Sequence, residues 1–435
     1  MLRVPVFPIQ DPMGKLTVED LESRGRRVFV RVDFNVPMED QAGRMVVTDI
    51  TRIRETIPTL DLLIGKGARI ILASHLGRPK GKNEPSMSLR PVAEKLADLI
   101  HRPVAFVDDC IGAKAENTAA ALREGDLLLL ENVRFHPEEE ANEAAFAEKL
   151  ARLADVYVND AFGSAHRAHA STEGVARIIG RRGGRCAAGL LMQKELRFLG
   201  EELENPARPF VVLLGGAKVS DKIKVIDRLL ERADALLIGG AMTYTFGLAL
   251  GQEVGKSLVE PERVEMARTA LEKAKTRKVR FLLPEDHVAA TPVQTDRVDK
   301  KGKRVIEFQN PHTVNGVNLP PGEAGLDIGP KTIAAYREVV LGAKTILWNG
   351  PMGMFEDQRF AEGTFAVARA VAEATGNGAK SIIGGGDSVK ALNKSGLGAR
   401  VTFASTGGGA SLEFLEGREL PGVAALTDAQ ASART

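Results

Sequence analysis

Short, unbroken runs of Val, Ile and Leu recur along this chain, each closed by a turn bearing Gly, Asp or Asn and followed by a stretch with helical spacing. The runs include RVFVRVDF (27–34), ARIILASH (68–75), DLLLLENVR (126–134) and DVYVND (155–160). Later come RPFVVLLGG (208–216), DALLIGG (234–240), VRFLLPEDH (279–287), KTILWNG (344–350), KSIIGGG (380–386) and RVTFAST (400–406). A strand with one wet face alternates apolar and polar residues. A continuous run needs burial on both faces, which is the condition of a parallel sheet. Helix candidates lie between the runs, such as 88–100 and 220–233, where Ile223, Ile226 and Leu230 share one face. Strand alternating with helix predicts α/β architecture with right-handed crossovers.

At 435 residues the chain is long enough for more than one domain. The stretch 190–209 has a helical pattern and ends in a turn with prolines. It predicts a helix over 190–206 joining two parallel-sheet α/β domains, residues 1–189 and 207–410, with a C-terminal segment over 411–435. A single large sheet is the alternative. A formal net charge of +2 argues against a nucleic-acid binder. Two cysteines, Cys110 and Cys186, suit a reducing cytoplasm better than a disulfide framework. The N-terminal residues do not resemble a secretory signal, and no apolar run is long enough for a membrane span. No role is assigned to the extension before Lys15, and the polar tail after Leu420 is expected to fray at its end.

Ligands of open parallel sheets bind beyond the carboxyl ends of the strands. In the first block those positions hold Asp33 and Asn35, then His75 and Arg78, then Arg134, then Asn159 and Asp160, followed by His166, Arg167 and His169. Arg52 lies near the start of a helix candidate. So many cations at one edge repel one another unless an anion shares the site, and Arg offers two-pronged geometry to carboxylate or phosphate. The expected ligand is small and highly anionic. His166 and His169 could hold a metal, but no third ligand is evident in that loop, so structural or substrate-binding roles are preferred.

The second block ends its strands in glycine: LLGGAK (213–218), IGGAM (238–242), WNGPMGMFE (348–356), IIGGGDS (382–388) and STGGGAS (405–411). Glycine lets backbone approach a ligand, and N–H groups at a helix start bind phosphate. Asp387 could hold a divalent ion beside phosphate oxygens. GQEVGKS (251–257) imitates a nucleotide loop, but it has three residues between its glycines where that loop has four. One block suits a small anion and the other a nucleotide, which predicts phosphoryl transfer across a cleft.

RVDFNVP (31–37), SHLGRP (74–79), LLLENVRFHPEEE (128–140), YVNDAFGSAHRAHAS (157–171), LGGAKVSDKI (214–223), WNGPMGMFE, IIGGGDS and STGGGASLEFLEG (405–417) stand in an order that closely resembles the phosphoglycerate kinase family. The resemblance runs from about Lys15 to Leu420 and implies two doubly wound parallel-sheet (Rossmann-like) α/β domains joined by a hinge helix. It implies that Asp33, Asn35, Arg52, His75, Arg78, Arg134 and Arg167 bind 3-phosphoglycerate or 1,3-bisphosphoglycerate. It implies that Lys218, Lys222, Glu356, Gly385, Gly386, Asp387 and Ser388 bind Mg-ATP or Mg-ADP, with Asp387 on the metal and adenosine near Gly216, Gly240, Gly325, Leu326 and Asn349. Arg52, Lys218 and Lys222 would be catalytic. Members are typically monomers, and the C-terminal segment often packs back on the first domain. Ser388 stands where many members have Thr, and Ala241 where some have Gly. The acceptor is a carboxylate, so no general base is needed; charge in flight would be met by Arg52, Lys218 and Mg²⁺. Lys218 and Lys222, four apart, would face the same way on a helix start.

Two rivals are weighed. A dehydrogenase on such a sheet needs G-x-G-x-x-G after the first strand, and RVDFNVP has no glycine. A hinged binding protein without catalysis explains one anion site but not the glycine-lined second block.

Overall fold

The computed structural model describes residues 14–298 and 302–429. Residues 1–13 of the N-terminal extension and 430–435 of the polar tail lie outside the described residues. The chain divides into two compact units, one formed by residues up to 201 together with those from 418 onward, the other by 202–417.

In the first unit the strands are β1 (Arg27–Val32), β2 (Met38–Gln41), β3 (Arg44–Val47), β4 (Arg69–Ala73), β5 (Val104–Val107), β6 (Leu127–Leu130), β7 (Val156–Asp160) and β8 (Cys186–Ala188). β2 and β3 form a separate hairpin. The other six make one parallel sheet in the order β5-β6-β4-β1-β7-β8. The chain fills one side of β1 first and then turns to the other, so the topological switch lies between β1 and β7. On one face Val28, Val30, Val32, Ile70 and Leu72 pack with Ile53, Leu60 and Leu63 of the helix Thr51–Gly65. On the other face Phe29 stacks on Tyr157 at 5.9 Å between ring centroids. Each buried side chain of this size contributes roughly 1.5–3 kcal/mol, enough together to hold the strand ends rigid.

Residues 418–429 complete this unit. Leu16 N–H donates to Thr427 O at 2.7 Å, and Gly422 N–H to Ala165 O at 2.9 Å. Asn159 Nδ2 donates to Gly422 O at 3.2 Å. Lys15 and Asp428 pair at 2.7 Å.

The second unit contains β9 (Phe210–Leu214), β10 (Ala235–Ile238), β11 (Arg280–Leu282), β12 (Asp286–Val298), β13 (Arg304–Asn315), β14 (Ala324–Ile328), β15 (Thr345–Asn349), β16 (Lys380–Gly384) and β17 (Phe403–Ala404). Its parallel sheet runs β11-β10-β9-β15-β16-β17, with the switch between β9 and β15. Leu213, Leu237, Ile346, Trp348 and Ile383 pack with Val340, Val367 and Val371 of its helices.

Three details differ from the sequence reading. A second, antiparallel sheet, β13-β12-β14, interrupts the α/β alternation. The run at 400–406 supplies only the two-residue edge strand β17. The helical stretch after residue 189 is wound in pieces: a helix Leu190–Leu196, a wider i→i+5 segment Arg197–Glu201, and a short helix Glu202–Glu204. Asp160, at the end of β7, starts that stretch. Its Oδ1 accepts from Leu191 N–H at 2.9 Å and Met192 N–H at 3.1 Å.

Candidate functional site

In the first unit the functional side chains sit just past the carboxyl ends of β1, β4 and β6 and in the loop after β7. Asp33 follows β1, and its Oδ2 accepts from Arg52 Nη1. Asn35 Oδ1 accepts from Gly77 N–H at 2.9 Å, and Gly77 O accepts from Arg134 Nη1 at 3.0 Å. Arg134 also pairs with Glu140 at 3.2 Å. Burial, with Arg31 nearby, lowers Arg134 to about 10, so it stays charged at neutral pH.

Arg31 has no exposed surface. Its position in β1 points it away from the Val28–Val30–Val32 face, toward the loops. Nη2 lies 3.1 Å from His75 Nδ1. A guanidinium has no acceptor, so Nδ1 must accept and the imidazole proton sits on Nε2. Burial pushes His75 well below its ordinary value, and Arg31, Arg134, Arg52 and Arg167 push the same way. His75 is therefore a neutral donor through Nε2–H. Beneath Arg31 lies its counter-charge. Arg31 Nε donates to Ser171 Oγ at 2.7 Å; Ser171 Oγ donates to Glu139 Oε1 at 2.6 Å and its N–H to Oε2 at 2.9 Å. Glu139 is fully buried; burial raises its pKa, and Arg31 leads the opposing charges.

The loop after β7 supplies Arg167, whose Nε donates to His166 Nε2 at 3.1 Å. His169 Nδ1 lies 4.0 Å from Glu139 Oε1. Burial and the Arg134 charge hold His169 down at about 4. Arg78 is exposed and makes no ion pair among the described residues. The structure thus brings Arg31, Arg52, Arg134 and Arg167 within electrostatic reach of His75. Asn159 and Asp160, at the same edge in sequence, serve instead the C-terminal segment and the helix at 190.

In the second unit a cleft of about 680 Å³ opens over the glycine turns. Its volume is within the usual range for a small-molecule site, roughly 300–1,000 Å³. Gly216, Gly240, Gly325, Leu326, Glu356 and Asp387 line it. Close packing requires two of these glycines: a Cβ on Gly240 would lie 2.5 Å from Gly216 O, and one on Gly325 only 1.9 Å from Tyr244 Oη. Gly385, with φ +85°, caps the helix Gly386–Lys394. Gly386 has neither constraint, because a Cβ there meets nothing within 4 Å. The helix start therefore faces open space where a phosphate can approach its N–H groups. Another hollow, about 590 Å³, lies at the amino end of β9 and β10 beside Arg208 and Pro209, away from these glycines.

The two lysines part company. Helix Ile223–Leu229 starts after both, so they do not share a helical face. Lys218 is exposed in the preceding loop, whereas Lys222 is buried and donates to Asn349 Oδ1. Burial lowers Lys222 to about 8, against the pull of Asp221 and Asp387. Asn349 Nδ2 is buried with no partner among the described residues. Ser388 is fully buried, and its Oγ accepts from Gly350 N–H at 2.5 Å.

A family model described as phosphoglycerate kinase matches residues 18–418. The chain belongs to the phosphoglycerate kinase family. Relatives named phosphoglycerate kinase from Chlorobium phaeovibrioides and Koribacter versatilis are 53% and 54% identical, each match covering 96% of this chain and 100% of the relative. A solved phosphoglycerate kinase from Coxiella burnetii superposes with a TM-score of 0.79 at 38% identity, over 94% of this chain and 98% of that one. One from Pyrococcus horikoshii gives 0.73 at 33%, with the same coverage. The protein is accordingly an enzyme, a phosphotransferase.

Sequence reasoning missed two groups of residues. Arg31, Ser171 and Glu139 lie inside strand and helix patterns, not at strand ends. The apolar wall of the cleft, with Pro292, Ile306 and Phe308, comes from the antiparallel hairpin. Alternation in IEFQ (306–309) was the available signal.

Proposed function

We propose that the protein catalyses reversible Mg²⁺-dependent transfer of a phosphoryl group between 1,3-bisphosphoglycerate and ADP on one side and 3-phosphoglycerate and ATP on the other, in glycolysis and gluconeogenesis. The convergence of four guanidinium groups on a neutral His75 carries this reading. Such a wall is repulsive alone and suits a substrate with both phosphate and carboxylate groups. Asp33 and Asn35 fix its floor, His75 donates a hydrogen bond from Nε2, and Arg78, Arg134 and Arg167 grip anionic oxygens. Arg52, half-exposed and oriented by Asp33, faces the group being transferred.

The glycine-floored cleft of the second unit takes the nucleotide, with adenosine along Gly216, Gly240, Gly325 and Leu326 and its phosphates toward Lys218, Lys222 and the helix start at Gly386. Asp387 and Glu356 are exposed carboxylates lining this cleft, the hard oxygen donors that Mg²⁺ takes. Mg²⁺ bound with the nucleotide would neutralise phosphate charge. The accepting carboxylate of 3-phosphoglycerate is already ionised at neutral pH, so this chain positions and neutralises without abstracting a proton. We place the enzyme in the cytoplasm as a monomer with small-molecule partners only, where its buried thiols stay reduced.

Crossed titrations test the assignment. Arg167→Ala should weaken 3-phosphoglycerate and leave Mg-ATP binding intact. Asp387→Ala should do the reverse, and its effect should require Mg²⁺. A loss equal with and without the metal would reduce Asp387 to shaping its turn, and loss of 3-phosphoglycerate binding in Asp387→Ala would contradict the partition of the two ligands.

A further inference from the structure

One cluster of chemically capable side chains belongs to neither site. Asp109 and Cys110 lie in the turn after β5, and His136 follows the turn after β6. These are adjacent strands, with Val107 opposite Leu130. One ligating atom from each residue lies within 4.8 Å of the others. His136 Nε2 and Asp109 Oδ1 are 2.7 Å apart. Cys110 is 1% exposed, while the Asp109 side chain is 47% exposed. The cluster therefore has a sulfur floor and a carboxylate mouth open to solvent. Cys110 N–H donates to Asp109 Oδ1 at 2.7 Å and orients that carboxylate, as outer hydrogen bonds orient ligands in known metal centres. Burial above all pushes the Cys110 thiol up, and the nearby carboxylates of Asp109, Glu139 and Glu131 act in the same direction. That setting attracts a cation.

We propose that Asp109, Cys110 and His136 form a binding site for a divalent transition-metal ion of the zinc type. Sulfur, nitrogen and oxygen donors together are the set Zn²⁺ accepts, with bonds of about 2.0–2.3 Å and water as a fourth ligand. Those bond lengths imply ligand atoms roughly 3.3–3.8 Å apart. Reaching that spacing needs side-chain shifts on the order of 1 Å, which the half-exposed Asp109 permits. Binding releases the thiol proton to solvent and uses His136 as a neutral imidazole. A thiolate donor selects against Mg²⁺, so the ion of the nucleotide cleft does not compete. His136 is two residues beyond Arg134 and caps the helix Pro137–Ala141, which carries Glu139 and Glu140. An ion here ties the β5 turn to the segment that builds the cation wall.

Co²⁺ is the direct probe, titrated into the nucleotide-free full chain. One equivalent should produce a thiolate-to-cobalt charge-transfer band that Zn²⁺ abolishes by displacement and excess Mg²⁺ does not. The band should vanish in Cys110→Ser, and Asp109→Asn should weaken Co²⁺ binding by at least about tenfold. No band in the folded native chain, or a band that survives in Cys110→Ser, would overturn the proposal and leave Asp109 and His136 as an ordinary hydrogen-bonded pair. Should Cys110→Ser fail to fold, Asp109→Asn decides alone, and unchanged Co²⁺ affinity in it counts against the site.

Discussion

Arg52 and Arg167 are cations of one wall, yet their tethers differ. Arg52 is held by the Asp33 carboxylate, while Arg167 donates to the ring of His166. An interaction made only in the transition state lowers kcat when removed; one made equally in ground and transition state raises KM. Arg52→Ala should lose on the order of 10²-fold in kcat, about 3 kcal/mol, with a modest change in KM for 3-phosphoglycerate. Arg167→Ala should raise KM and keep much of kcat. Near-normal kcat in folded Arg52→Ala would move Arg52 to the binding wall. Lys222 makes a pH prediction. Its folded value near 8 lies below the ordinary 10.5, so the unfolded chain binds the extra proton between those values. Stability carries the full penalty below pH 8, on the order of 3 kcal/mol, and regains it as pH rises toward 10.5. In the proposed function that charge serves the nucleotide, so kcat/KM for ATP should fall above about pH 8. Lys222→Met should remove that limb, lower nucleotide affinity and leave melting at pH 7 no worse. An unchanged alkaline limb would show that another group sets it. Arg52 was legible from its place near a helix start and the family resemblance, Arg167 because it lies in the loop after an apolar run, and His75 and Arg134 because they end such runs. Arg31 was not, since it sits inside one, and only the fold shows that this strand position faces the cations. Glu139 looked like one acid among neighbours until burial singled it out.

At the scale of elements, the helix start at Gly386 separates turn chemistry from ligand chemistry. Gly385 needs its positive φ, but Gly386 has open space and ordinary helical backbone. Gly386→Ala should therefore raise stability by up to about 1 kcal/mol through helix propensity. It should also weaken ATP binding, because the new methyl group stands where a phosphate approaches the N–H groups. Thermal melting and calorimetry on the same sample decide it; unchanged affinity would make Gly386 a turn residue only. The parallel strands could be read from sequence because burial on both faces leaves continuous Val, Ile and Leu. The antiparallel hairpin was hidden by its polar, half-exposed residues, such as Gln294, Thr295 and Glu307, which resemble a loop in composition. The helix predicted over 220–233 proved shorter at both ends, Ile223–Leu229, with Lys222 outside it and hydrogen-bonded to Asn349.

At the scale of the whole molecule, the proposed reaction draws on groups from both units. Arg52 comes from the first unit and Lys218 and Lys222 from the second. The segment Arg197–Glu201, wound more widely than an α-helix, ends where one unit gives way to the other. If it bends under ligand load, small-angle scattering should show a smaller radius of gyration with both substrates bound than with either alone. An unchanged radius at demonstrated saturation would count against closure. The two-block plan was legible from the contrast between cationic and glycine-rich strand ends. The return of residues 418–429 to the first unit was expected from the family resemblance alone and not from composition or periodicity, because several of its ties are backbone hydrogen bonds such as Leu16 N–H to Thr427 O, which any sequence can make. Whether the anion wall and the glycine cleft serve one reaction is decided by a coupled assay of purified protein, following ADP release from ATP with Mg²⁺ and 3-phosphoglycerate. Multiple turnovers should appear and vanish when 3-phosphoglycerate or Mg²⁺ is omitted; folded protein that binds both substrates and shows no turnover would overturn the proposed function.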